Sequence, residues 1–223
     1  MTGVLGVLVS NGAGAAPTFV AAGAGGYEAP VAGTLQVPYP ASIIAGQFLV
    51  LHVVSQDASA SITTPSGWTL ITDSAALVGG TLSAVYWKKA AGTESGNLDV
   101  TLTGGTRCGG RIYQFSRGSG VEAAGTIAET ASDSDITIQN VTTLGNRRLA
   151  CQCLWVQNNT TMADITGESG ANYAEAVAEY SNTGLTLGLQ TAVVNTPTAI
   201  TGGTCVIGTA TSNKIAHGFA IKS

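Results

Sequence analysis

The side chains able to do acid–base or nucleophilic chemistry are few in this chain and poorly grouped. Only two histidines occur, His52 and His217. His52 stands inside the apolar run Phe48–Val54, and His217 lies in line with Ile215 and Phe219. Such neighbours predict buried, hydrogen-bonded imidazoles, whereas a general base must reach a substrate proton. Gly167-Glu168-Ser169-Gly170 holds its serine one step too near the second glycine for a nucleophile elbow. Gly12-Ala13-Gly14 runs into Pro17 where a dinucleotide fingerprint needs its third glycine. The remaining route is a carboxylate pair. Asp133 and Asp135 would face the same way in an extended segment, as cation ligands or as solvated acids before a strand. Calcium asks for about six to eight oxygens, more than this pair offers. Glu175 and Glu179 would share a face if residues 172–180, rich in Ala and Glu, were helical; that stretch is short enough to be an edge strand instead. A glycan hydrolase needs two carboxylates across a cleft, and the scarcity of acids argues against one. No catalytic, cofactor-binding or metal-binding residue is therefore expected.

The thiols and aromatic rings read as packing. Cys151-Gln152-Cys153 puts two sulfurs on one face of a strand. They would be half of a metal site completed by Cys108 and Cys205, or small apolar residues of a β core. The paired knuckles of structural zinc are missing, which favours the core. Trp87 and Trp155 sit among apolar residues and are expected inside, while Trp68 follows a Pro-Ser-Gly turn and should pin that corner to a sheet. Exposed, the same rings would be platforms for a sugar. Lys88-Lys89 and Arg147-Arg148 stand at strand ends as isolated pairs guarding edges, and no basic patch is expected.

Composition narrows the classes further. The chain has 223 residues, nine Lys+Arg against thirteen Asp+Glu, a net charge of −4 and only 10% charged residues. An ordinary soluble domain has roughly 25%. Phosphate neutralisation needs a basic excess, so no nucleic-acid partner is expected. A disordered chain would be charged and poor in β-branched residues, whereas 29 threonines stand here beside 30 glycines. There is no apolar run long enough to span a bilayer, and no membrane association is expected. The first apolar stretch lacks a preceding positive charge, unlike a secretory leader. Mean hydropathy is +0.28, which predicts either a large core or apolar surface covered by other chains.

What must position these residues is β-structure. Leu98, Val100 and Leu102 alternate with polar residues, as do Leu185, Leu187 and Leu189, and Ile136 and Ile138. Phe48–Val54 and Leu149–Val156 are apolar on both faces, the mark of central strands covered twice. Gly-rich turns punctuate the chain at short intervals. These signals predict an all-β, jelly-roll-like β-sandwich of about a dozen antiparallel strands over residues 27–223. Residues 1–26 carry no charge and are rich in Gly, Ala and Val. They are expected to form an extended arm whose Val4, Leu5, Val7, Leu8 and Val9 dock on another subunit.

Several strings occur in an order that resembles a known family. They are Ala45-Gly46-Gln47-Phe48-Leu49-Val50-Leu51, Thr64-Pro65-Ser66-Gly67-Trp68-Thr69-Leu70-Ile71, Val85-Tyr86-Trp87-Lys88-Lys89-Ala90, Gly92-Thr93-Glu94-Ser95-Gly96 and the closing His217-Gly218-Phe219-Ala220-Ile221-Lys222. Together they resemble the all-β domain of tailed-bacteriophage structural proteins found in head decorations, head spikes and tail fibres, over about residues 34–223. Two departures stand out: Gln47 replaces the usual acid, and the arm has no counterpart. The resemblance implies a virion location and a structural role, most simply a capsid decoration or cement protein. Its partners would be the major capsid protein or other virion proteins, with a homotrimer as the natural geometry. A host-glycan-binding module of a spike or tail fibre is the alternative. The resemblance carries no catalytic residues and no cofactor.

Overall fold

A computed structural model describes residues 14–29, 33–56, 61–74, 80–211 and 213–223. Val4, Leu5, Val7, Leu8 and Val9, the expected docking residues, lie outside these. Among the described residues the chain is all-β, with eighteen strands and no helix. The first nine are β1 (Phe19–Ala22), β2 (Gly26–Glu28), β3 (Thr34–Pro38), β4 (Phe48–Gln56), β5 (Ser61–Ile62), β6 (Thr69–Asp73), β7 (Thr81–Lys89), β8 (Asn97–Thr103) and β9 (Arg107–Phe115). The rest are β10 (Gly120–Glu129), β11 (Asp133–Thr137), β12 (Val141–Thr142), β13 (Arg148–Val156), β14 (Ala174–Asn182), β15 (Leu185–Val194), β16 (Ala199–Ile200), β17 (Thr204–Thr211) and β18 (Lys214–Lys222).

These strands make four layers. One central sheet runs β1-β9-β4-β7-β6, with β2 also on β9; the other runs β10-β18-β13-β15-β14. All pairings are antiparallel. The two sheets face each other across a core of Phe48, Val50, Tyr113 and Phe115 from the first, and Leu149, Cys151, Phe219 and Ile221 from the second. Outside the first sheet lies β3-β8-β5, which buries Leu35, Val37, Val100 and Leu102 against Leu49, Leu51 and Val53. Outside the second lie β11-β17 and β12-β16, which bury Ile136, Ile138, Cys205 and Ile207 against Ala150, Leu154 and Ala216. The double covering explains why β4 and β13 are apolar on both faces. Glycine permits the closest approach of the covers. A Cβ on Gly110 of β9 would stand 2.9 Å from Val37 Cγ2, and one on Gly218 of β18 would stand 2.8 Å from Gln139 Cβ.

The two halves of the chain repeat one plan. Replacing β1, β9, β4, β7 and β6 by β10, β18, β13, β15 and β14 converts one central sheet into the other. The matching pair β3 and β8 has its counterpart in β11 and β17. Across the interface β1 meets β14 and β6 meets β10, so the order is reversed from sheet to sheet. Strand direction is not reversed: Phe48 and Leu149 share one cluster, while Val54 and Trp155 share the next. A swap of left with right and front with back at fixed strand direction is a two-fold rotation about an axis along the strands. Even a turn repeats, because Gly46 and Arg147 both have positive φ (88° and 57°), each two residues before the first inward side chain of its central strand.

Two expectations change. The strand count exceeds a dozen because the covers include pieces of only two residues, too short for periodicity to register. The body is the expected β-sandwich, with an outer cover added on each central sheet. It also reaches upstream of residue 27, since β1 lies within the expected arm and satisfies an edge of β9. The stretch 174–182 is an edge strand of the second central sheet, where pairing with β15 overrides its Ala and Glu content. Phe219 has no exposed surface and lies between the central sheets. Phe219→Ala is expected to lower stability by about 3–5 kcal/mol, read from the midpoint of urea unfolding; a loss below about 1 kcal/mol would contradict a close-packed interface.

Candidate docking interface

The two histidines meet inside the molecule. His52 on β4, Ser83 on β7 and His217 on β18 are all fully buried. Ser83 Oγ stands 2.9 Å from His52 Nε2 and 2.8 Å from His217 Nε2. His217 Nδ1 is 2.8 Å from Thr126 Oγ1, which is 2.7 Å from Thr72 Oγ1. One polar chain thus stitches the two central sheets. Its direction follows from its closed end, where His52 Nδ1 has no partner. A buried N–H without an acceptor costs more than an idle lone pair. Hence His52 Nε2–H donates to Ser83, Ser83 to His217 Nε2, His217 Nδ1–H to Thr126, and Thr126 to Thr72. Burial pushes the His52 pKa down to about 3. His217 is held well below its ordinary value, by burial first and by His52 second. A Ser–His contact is present, but it is sealed from any substrate and works as a staple.

The other sequence candidates are dispersed. Cys151 and Cys153 face the space between the central sheets, Cys108 lies under the first cover and Cys205 under the second, so no ligand set forms. Burial pushes the Cys108 thiol up to about 12. Asp133 and Asp135 do not make a cation site. Lys214, fully buried, donates to the Asp133 carboxylate and to the Asp135 carbonyl, with Glu129 Oε2 3.7 Å away. That bond to Lys214 holds the Asp133 carboxyl below the usual range. Among the described residues no group of three or more His, Cys, Asp or Glu could bind a metal. Trp68 and Trp155 are buried, and Trp87 stacks on Phe48 at 4.9 Å. None of the three is a bare platform.

The strings behind the family resemblance converge on one corner. Trp68 packs into the first outer core, and Lys88 Nζ lies 5.8 Å from its ring. Lys88 also pairs with Glu94 at 2.8 Å. Burial alone would raise the Glu94 carboxyl, but Lys88 and the backbone N–H groups of residues 91 and 92 bring it to about 2. Gln47, at the position where the family has an acid, accepts from Ile44 N at 2.7 Å and from Gln114 Nε2 at 2.6 Å.

This corner belongs to the proximal end, where β4 and β13 begin. By register, Lys88, Lys89, Arg117, Arg147, Arg148 and Lys222 all lie there, which is six of the nine basic residues. The expectation of no basic patch fails because the residues are far apart in sequence and are gathered only by the antiparallel order. Lys88 is neutralised by Glu94, and Arg148 by Glu122 at 2.9 Å. Among the described residues the two most exposed large hydrophobic side chains stand on loops at the same end: Leu144 is 75% exposed and Ile44 67%. Ile44 is four residues before Phe48 and Leu144 five before Leu149, so they are near-equivalent tips of the repeat. The described chain also starts here, with Arg147 Nη1 donating to Gly14 O at 3.3 Å. The distal end differs, for Glu28, Glu129, Asp133 and Asp135 lie towards it.

Comparison with known protein families, with characterised proteins and with solved structures finds no match to this chain.

The buried histidines set a pH dependence. Unfolded, each imidazole takes a proton near pH 6.5; folded, His52 refuses it until about pH 3. The unfolded state therefore binds more protons between these values, and stability falls as pH drops through that window. The slope is up to about 1.4 kcal/mol per pH unit for each histidine. Urea unfolding across that range should show this slope, and a flat profile would contradict neutral, buried imidazoles. Ser83→Ala removes the link between the two rings and should cost about 1–3 kcal/mol near neutral pH.

Proposed function

We propose that the protein is a structural component of a tailed-bacteriophage particle, a capsid decoration or cement protein that seats on the head through its proximal end. The observation that carries the reading is the convergence at that end. Two bare apolar loop tips stand there, and the described chain begins beside them. The thirteen residues before Gly14 include Val4, Leu5, Val7, Leu8 and Val9 and no charge. Apolar tips bare at one end, in a chain that also carries an uncharged apolar segment, need a cover, which a shell of other subunits supplies.

Three further features support it. The resemblance runs through Trp68, Lys88 and Glu94, which make one physical corner. The strand orders β1-β9-β4-β7 and β3-β8-β5 fit a jelly-roll half whose remaining strand, β6, has moved to the edge of the central sheet. That architecture recurs in capsid and lectin domains. The histidine and thiol groups read in the sequence as possible chemistry are enclosed. A host-glycan module remains the second reading from sequence, but no tryptophan is presented to a sugar, and the cement role is preferred.

Removing residues 1–13 tests the reading. β1 begins at Phe19, so the body should fold with unchanged thermal stability. Binding to phage heads assembled without this protein, measured by cosedimentation, should fall at least about tenfold, which corresponds to about 1.4 kcal/mol. Undiminished occupancy by the shortened protein would sink the anchoring role of Val4–Val9. Native mass of the free protein distinguishes a preformed trimer from a monomer that assembles on its shell.

A further inference from the structure

The proximal end carries a charge pattern and a repeat that together specify what it meets. We infer that its partner is an acidic protein surface that offers the same apolar socket twice, one for Ile44 and one for Leu144. This rests on the structural reading above and goes beyond it by naming the partner's chemistry and the number of contacts.

The charge argument comes first. The chain is net negative, at −4. Yet Lys89, Arg117 and Arg147 are exposed at one end and Lys222 is half-buried beside them. The two acids next to them, Glu94 and Glu122, are already engaged by Lys88 and Arg148. Asp99, also exposed, lies within β8 and away from these loops. Four cations without an acid partner among the described residues therefore ring the two tips. Association with an acidic surface is steered and strengthened by such a ring, whereas like charges repel. A second copy docked end to end would set the same cations against each other, so self-association is not the use of this face.

The repeat supplies the number of contacts. The two-fold axis runs along the strands, so equivalent loops of the two halves emerge at the same end, side by side. Ile44 and Leu144 are aliphatic, of similar size and similarly exposed. One rigid body with two like tips is satisfied by two like sockets, which a surface built from repeated subunits provides. Two weak contacts on one rigid body then act together, and losing either forfeits the gain of the pair, about 10²-fold or more.

The experiment uses the full-length protein and phage heads assembled without it. Ile44→Ser, Leu144→Ser and Arg147→Gly are compared with wild type by cosedimentation at low and high salt. Both tips are exposed, and glycine suits the positive φ at residue 147, so all three should fold normally; circular dichroism and thermal unfolding check this. Each tip variant is expected to lose about 10²-fold in affinity, and the two losses should agree within a few-fold. Arg147→Gly should weaken binding chiefly at low salt. If wild type ignores the heads, the structural reading fails and the inference with it. If wild type binds and the tip variants bind equally well, or only one tip matters, the inference alone fails. Vesicles of phosphatidylcholine with phosphatidylserine, and duplex DNA, serve as competing anionic probes. Tip-dependent retention on either would overturn the assignment to a protein partner.

Discussion

The architecture depends on keeping the space between the two central sheets dry. Phe48, Tyr113, Phe115, Trp155 and Phe219 fill it with large rings, and β4 and β13 run through its middle. Because these sheets turn one face to each other and the opposite face to a cover, their inner strands β4, β13 and β18 have almost no surface left for water. Charged residues are consequently expelled to the strand ends and loops, which accounts for the low charge content and for the crowding of cations at one end. Lys214 and Arg111 are exceptions: Asp133, Glu129 and a backbone carbonyl compensate Lys214, and Arg111 donates to Gly23 O at 2.9 Å. The polar chain His52–Ser83–His217 is tolerated in the same space because its internal bonds are made with only one acceptor idle.

Much of the fold was legible from local pattern. Alternation located β8, β11 and β15, and the doubly apolar runs marked the two central strands. Both histidines were readable as buried from their neighbours alone. The aromatic residues likewise declared themselves as packing. What periodicity could not reveal was the repeat. Phe48 and Leu149 occupy equivalent places, yet the runs FLVLHVV and LACQCLWV share almost no identities, because two apolar faces accept many residues of similar volume.

The grouping at the proximal end was legible only in fragments. Each basic pair looked like an edge guard because sequence shows neighbours along the chain and not across a sheet. Lys89, Arg117, Arg147 and Lys222 come together through β7, β9, β13 and β18, four strands whose order depends on long-range pairing. Ile44 and Leu144 carried no signal, since an aliphatic residue close to a glycine turn is unremarkable until its exposure is known. The thirteen residues ahead of Gly14 were recognisable as apolar, but the place of Gly14 at the same end as those tips was not.

The two-fold relation has a consequence for how the molecule can vary. In a dimer of identical halves, every substitution near the axis would appear twice and meet its own image. A single chain carrying both halves is free of that restriction. Here His217 of β18 is answered by Arg111 at the matching place on β9, so the bridge through Ser83 is built once and in one direction. Covalent linkage thus lets a pseudo-symmetric body hold a one-sided seam, and lets either half change its outer loops without altering the other.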